Sequence, residues 1–118
     1  MTTAEIANRL VELCSTNQNR QAYEELFAQD AVTVDSIAHM QGRTTEGLAN
    51  LLANNDHFQS GIEAVHGGHV SQPLVAGNFF SVAMGLDVTM KDGNRMNMEE
   101  VVVYEVKDGK IVKEQFFY

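Results

Sequence analysis

From Phe79 onward the chain alternates. Phe80, Val82, Met84, Leu86, Val88 and Met90 are apolar at every second position, the period of a strand with one face on a core. Asp92-Gly93-Asn94 and Asp108-Gly109 interrupt the pattern with the residues that tight hairpins demand. Between them, Met96, Met98, Glu100, Val102, Tyr104 and Val106 share one face, and Asn97, Glu99, Val101, Val103 and Glu105 the other. Residues 111–118 read as the last strand. A meander of this kind has one apolar face that another layer must cover.

The first third supplies that layer. Ile6, Leu10 and Leu13, flanked by Val11 and Cys14, recur at helical spacing after a Thr2 or Thr3 cap with Glu5 in the first turn. Ala22, Tyr23, Leu26 and Phe27 predict a second, shorter helix. Residues 31–35, Ala-Val-Thr-Val-Asp, alternate and read as a first strand. Gly42 marks a turn. Thr44 or Thr45 then caps a third helix carrying Leu48, Leu51 and Leu52, predicted to stop at Asn54-Asn55-Asp56. Residues 63–71 read as a strand bent at Gly67-Gly68. Helices first and strands afterwards predict an α+β fold, and 118 residues without a linker or repeat predict a single domain over 1–118.

Charge narrows the partners. Eight Lys and Arg stand against sixteen Asp and Glu, a net −8. The cations are scattered, so there is no basic footprint for nucleic acid or an anionic membrane surface. No apolar run approaches the roughly 20 residues of a membrane-spanning helix. The opening residues lack the basic-then-apolar layout of a secretory leader, and Cys14, the sole cysteine, has no internal partner. The expectation is a cytoplasmic protein.

The segment Glu-Leu-Phe-Ala-Gln-Asp-Ala-Val-Thr-Val-Asp at 25–35 and the closing hairpin at 102–118 carry a resemblance. With Gly42 and the short helix between them, they resemble the SnoaL-like branch of the nuclear transport factor 2-like superfamily. That group also holds ketosteroid isomerases and polyketide cyclases. The resemblance covers essentially the whole chain. It implies a cystatin-like cone: a strongly curved antiparallel sheet wrapped around the N-terminal helices, with a pocket at its open end. Isomerases, cyclases, hydrolases, dehydratases and non-catalytic binders all use this cone, so the fold does not name the reaction.

The resemblance places the isomerases' catalytic aspartate on Asp35. There a carboxylate would face the pocket mouth and serve as general base toward a proton beside a carbonyl, or else cap the strand end or bind a loop amide. The isomerases' oxyanion-binding tyrosine falls on Leu10 or Val11, and their protonated aspartate falls near Val102. Neither position offers a donor here, and losing one such donor typically costs about 2.7–4 kcal/mol of transition-state stabilisation. A steroid isomerase is not implied.

Glu100 is the second candidate, a carboxyl on the face that also carries Met96, Met98 and Tyr104. It is either raised in pKa inside a pocket or paired with Lys110 or Lys113 across the hairpin. His66, beside Gly67-Gly68, is a candidate pocket acid or donor, or else a histidine bonded to a carbonyl. His66 and His69, three apart on a strand, point to opposite faces and lack a third ligand, so no metal site is expected. His39, in the loop after Asp35, is placed to orient a ligand or Asp35. His57 complements a helix end. Cys14 reads as a small core residue.

Met84, Met98, Tyr104 and Phe116 occupy alternating strand positions that are core in most folds and pocket lining in a cone. The ligand they imply is small and largely apolar, with a carbonyl or hydroxyl. Three functions are compatible with these residues. The first is an isomerase, cyclase or dehydratase using Asp35 with Glu100 or His66, without metal or organic cofactor. The others are a non-catalytic binder of small ligands and a module that interacts through its sheet. The outer sheet face has a small, apolar centre at Ala83, Gly85, Val101 and Val103 and polar ends. A sheet-to-sheet homodimer is the expectation.

Overall fold

The computed structural model describes residues 1–35 and 44–118. Helix α1 spans Thr3–Ser15, and its N-terminus is closed by a capping box in which Thr2 and Glu5 each bond the other's backbone N–H. Helix α2 spans Asn19–Leu26. Strand β1, Phe27–Asp35, follows directly and starts four residues before the predicted Ala31. Phe27 leaves the helical stripe because its backbone is already extended, yet it stays buried against the ring of Tyr23.

A short strand β2, Thr44–Glu46, replaces the predicted helix cap. It pairs antiparallel with β1, and Gly47, at φ +88°, turns the chain into helix α3, Leu48–Ser60. That positive φ is open to glycine at little cost. The Asn54-Asn55-Asp56 cluster does not stop α3; the helix runs one further turn and ends at Gly61. Asparagine is a weak breaker, and tertiary placement overrides its preference.

Strands β3 (Ile62–Val70), β4 (Leu74–Ala76), β5 (Phe79–Met90), β6 (Arg95–Lys107) and β7 (Lys110–Phe117) complete the structure. The sheet order is β2-β1-β7-β6-β5-β3, with β4 sharing an edge of β5. Pairing is antiparallel except between β1 and β7, which run parallel. The predicted meander is therefore β5-β6-β7 with β3 on its flank, and β4 is an addition. The expected irregularity near Gly67 is a register shift between Val65 and Gly67.

The inner face packs on the helices. Ile6, Leu10 and Leu13 of α1 and Leu26 of α2 meet Phe80, Val82, Val102, Tyr104 and Ile111 of the sheet, all buried. Phe80 and Tyr104 are opposed in register and stack with ring centroids 4.7 Å apart. Each large side chain buried this way contributes roughly 1.5–3 kcal/mol. The outer face keeps the predicted alternation, with Phe79 and Val101 about half exposed. Among the described residues, no helix is long and apolar enough to cross a membrane.

Candidate functional site

The helices leave one end of the curved sheet uncovered, and a cavity of about 250 Å³ opens there. Strands β1, β2, β5, β6 and β7 and helices α2 and α3 all contribute to its lining. The end of β1 contributes Thr33 and Asp35, the inner faces of β5 and β6 contribute Leu86, Met98 and Glu100, and β7 with its following residue contributes Phe116 and Tyr118. Helix α3 closes the far side with Leu51, Asn54, Asn55, Phe58 and Gln59, which recur at helical spacing on one face. An inner cavity of about 70 Å³ lies behind the first and shares Asn19, Tyr23, Glu100 and Phe116 with it.

Asp35 and Glu100 therefore reach one space from different strands. Asp35 sits opposite Phe116 in the parallel β1–β7 register, and Glu100 sits opposite Met84 on β5. Burial pushes the Glu100 carboxyl up to about 7, Tyr118 bonds to it and pulls it back, and the charge of Asp35 adds to the rise. Tyr118 is raised in turn by its own burial and by Glu100 and Asp35. Two carboxyls that share a cavity are driven apart in acidity, which is how one site comes to hold both a base and an acid. Glu100 makes no ion pair with Lys110 or Lys113; Lys110 instead donates to the Glu25 carbonyl oxygen at 2.8 Å.

Met98 and Phe116 line the outer cavity; Met84, Tyr104 and Phe116 line the inner one. His39 lies outside the described residues. His66 is not a pocket residue. It is exposed, outside both linings, and 2.6 Å from the Thr89 hydroxyl. The register shift after Val65 carries it out of the inner face, so the acid role considered for it fails on geometry. His69 is exposed as well and pairs with Glu99 at 3.2 Å. No group of three His, Cys, Asp or Glu among the described residues is arranged to hold a metal ion.

The alternation argument missed Glu114. It is 3% exposed, and its Oε1 accepts hydrogen bonds from the Tyr23 hydroxyl at 2.9 Å and the Thr33 hydroxyl at 3.2 Å. Burial pushes its carboxyl up to about 7 against the pull of Tyr23, Tyr104 and Thr33, and the charge of Glu100 adds to the rise. The signal was available: Glu114 has the parity of Phe116. A bulge at Val112, between the pairs Val106–Ile111 and Glu105–Lys113, conceals that parity from the Ile111 side. The cavity-facing amides Asn54, Asn55 and Gln59 were missed for another reason, since they read as a helix end and the chain beyond it.

A family model of the SnoaL-like domain matches residues 1–118. A crystal structure from Mesorhizobium loti, bearing the name SnoaL-like polyketide cyclase with carbohydrate phosphatase in brackets, is 37% identical. The alignment covers 100% of both chains at a TM-score of 0.91. A protein of ketosteroid isomerase-like fold from Catenulispora acidiphila, solved with trimethylamine, is 20% identical. It aligns over 99% of this chain and 87% of its own at a TM-score of 0.74. A Xanthomonas campestris protein of cystatin-like fold is 16% identical, over 99% and 90%, at 0.79. No curated protein matches the chain. Family model, whole-length likeness and the cone around Asp35 agree, and the chain belongs to the SnoaL-like family.

Proposed function

We propose that this protein moves protons on a small, largely apolar carbonyl compound, in an isomerisation, cyclisation or dehydration that draws on its own carboxyls. The observation that carries this reading is the shared cavity of Asp35 and Glu100, with the Glu100 carboxyl raised to about 7. Asp35 is the general base that takes a proton from the carbon beside the carbonyl. Glu100, raised to about 7, offers a hydrogen bond in its protonated form toward the carbonyl end of the same molecule. Met98, Leu86 and Phe116 hold its apolar body and keep water from the reacting carbon. The cyclase name of the Mesorhizobium loti relative is compatible with such chemistry.

Deuterium exchange tests the proposal before the substrate is known. Ketones and β-keto esters of one or two rings are incubated with the protein in D₂O, and loss of the proton next to the carbonyl is followed by NMR. The expected result is exchange on part of the panel, lost in Asp35→Asn. Compounds that bind without any exchange, across the panel, would replace this reading with that of a ligand carrier.

A further inference from the structure

Proton abstraction beside a carbonyl needs a donor for the oxygen that gains charge. Leu10, Val11 and Val102, at the positions where the isomerases carry theirs, are buried and apolar. Tyr23 is placed differently. It projects from α2, lines both cavities, and is hydrogen-bonded through its hydroxyl to the buried Glu114.

Among the described residues, no cation pairs with Glu114. It accepts hydrogen bonds from the hydroxyls of Tyr23 on α2 and Thr33 on β1, and Tyr104 on β6 also favours its ionised form. A carboxyl without a counter-ion is a costly thing to bury, and an apolar side chain would pack that position at lower cost. Its register partner Tyr104 and its neighbours Ile111 and Phe116 already supply the apolar contacts of this layer. What Glu114 adds is a proton-holding group one hydrogen bond behind a phenol that faces the ligand space.

We propose that Tyr23 is the proton donor to the substrate oxygen, and that Glu114 is the positioning residue that holds this phenol and replaces its proton. This rests on the acid–base reading of the Asp35 cavity. The Asp35 carboxylate takes the proton from the carbon next to the carbonyl. The C–H electron pair becomes a carbon–carbon double bond, and the carbonyl π pair moves to oxygen. That oxygen takes the phenolic proton of Tyr23, and the Tyr23 oxygen takes the carboxyl proton of Glu114, which is left ionised. The reverse transfers, with Asp35 returning its proton to carbon, close the cycle. The bond between Tyr23 and Glu114 serves both states. The phenol donates to an ionised carboxylate, and a protonated carboxyl donates to a phenol whose own hydrogen turns into the cavity.

Glu114 is raised to about 7, so both of its forms are within reach at neutral pH. Among the described residues, the groups around it are Cys14 on α1, Tyr23 on α2, Thr33 on β1, Glu100 and Tyr104 on β6, and Tyr118. Cys14, pushed up to about 12 by burial, and the raised tyrosines stay neutral in that range. Among the described residues, Glu100 is also raised to about 7 beside it, with the charge of Asp35 acting on Glu100.

The test uses 4-nitrophenol, whose phenolate oxygen stands in for the enolate. Calorimetry at pH 8 in two buffers of different ionisation heat yields affinity and the protons taken up on binding. The wild type should bind the phenolate with proton uptake. Tyr23→Phe should weaken binding by about tenfold or more, the usual scale for a hydrogen bond to a charged group. Glu114→Gln should lower the proton uptake, an effect that repacking alone does not produce. Thr33→Val, a second variant that spares both groups, removes one bond to the carboxylate and should shift the uptake to higher pH. Wild-type affinity in Tyr23→Phe, or unchanged proton uptake in folded Glu114→Gln and Thr33→Val, overturns the assignment. Deuterium exchange separates the two readings. If exchange is lost in Asp35→Asn and untouched in Tyr23→Phe, the base stands and the donor falls. Phenolate binding that follows Tyr23 and Glu114 without any exchange leaves the donor site in place and removes the turnover.

Discussion

Glu99 and Glu100 are consecutive on β6 and face opposite sides of the sheet. Glu99 is exposed and reaches across Gly85 to His69, a crossing that needs the glycine. A Cβ on Gly85 would lie 2.2 Å from His69 Cε1. Glu100, one residue on, is turned into the cavity and raised to about 7. Strand alternation turns one carboxyl to solvent and makes its neighbour a candidate acid in the cavity.

Asp35→Asn should leave the fold intact, since the change is nearly isosteric, and lower the rate of α-proton exchange by roughly 10² or more. Circular dichroism checks the first part and NMR exchange the second. An unchanged rate would move the base to another residue.

The exchange rate should depend on pH on its alkaline side. Glu100 and Glu114 are both raised to about 7 and are useful as donors only when protonated. Activity should therefore be present below that value and decline as pH rises through it. In the double variant Glu100→Gln, Glu114→Gln the alkaline decline should vanish along with most of the rate.

Stability should follow the same two groups. Their folded-state pKa lies above the ordinary 4.5, so the folded protein binds more protons than the unfolded chain between about 4.5 and 7. Their contribution is full below that window and is lost as pH rises through it. The melting temperature should be lower at pH 8 than at pH 5, and Glu114→Gln should reduce the difference. A melting temperature indifferent to pH over this range contradicts the burial argument for both carboxyls.

Assembly is a further proposal. The outer face presents Val101 about half exposed, with Val103, Ala83 and Gly85 partly buried beside it and Asn97, Glu99 and Glu105 around them. A homodimer joined sheet to sheet would cover this centre with its own two-fold copy. Val103→Glu should then raise the dissociation constant by setting like charges near the axis. Light scattering at micromolar concentration decides it, and a 13 kDa monomer for the unaltered chain would end the proposal.

The strands from Phe79 onward were legible because the inward positions are apolar and the turns carry Asp-Gly and Gly-Asn. Glu100 was legible because it is a carboxyl at a position whose parity points inward, and Asp35 because the resemblance of residues 25–35 to the isomerases places their catalytic aspartate there. Two kinds of residue were hidden. Glu114 lies beyond the Val112 bulge, where counting by twos from Ile111 fails. Asn54, Asn55 and Gln59 break the apolar pattern of α3 because they face a cavity, and polar residues at an inward helical position imitate a helix end. His66 failed in the opposite sense: the irregularity read beside it turns it outward.

The parallel pairing of β1 with β7 also governs the order in which this molecule can form. Asp35 meets Phe116, and Thr33 meets Glu114, across some eighty residues of sequence, and such distant contacts slow folding. β7 lies mid-sheet between β1 and β6. Until it docks, β1 and β6 both present unpaired edges, and neither cavity has its floor. The residues proposed for chemistry are thus assembled by a late and long-range event. Transiently exposed strand edges are open to pairing with other chains, so the interval before β7 docks is one in which the folding chain is open to aggregation.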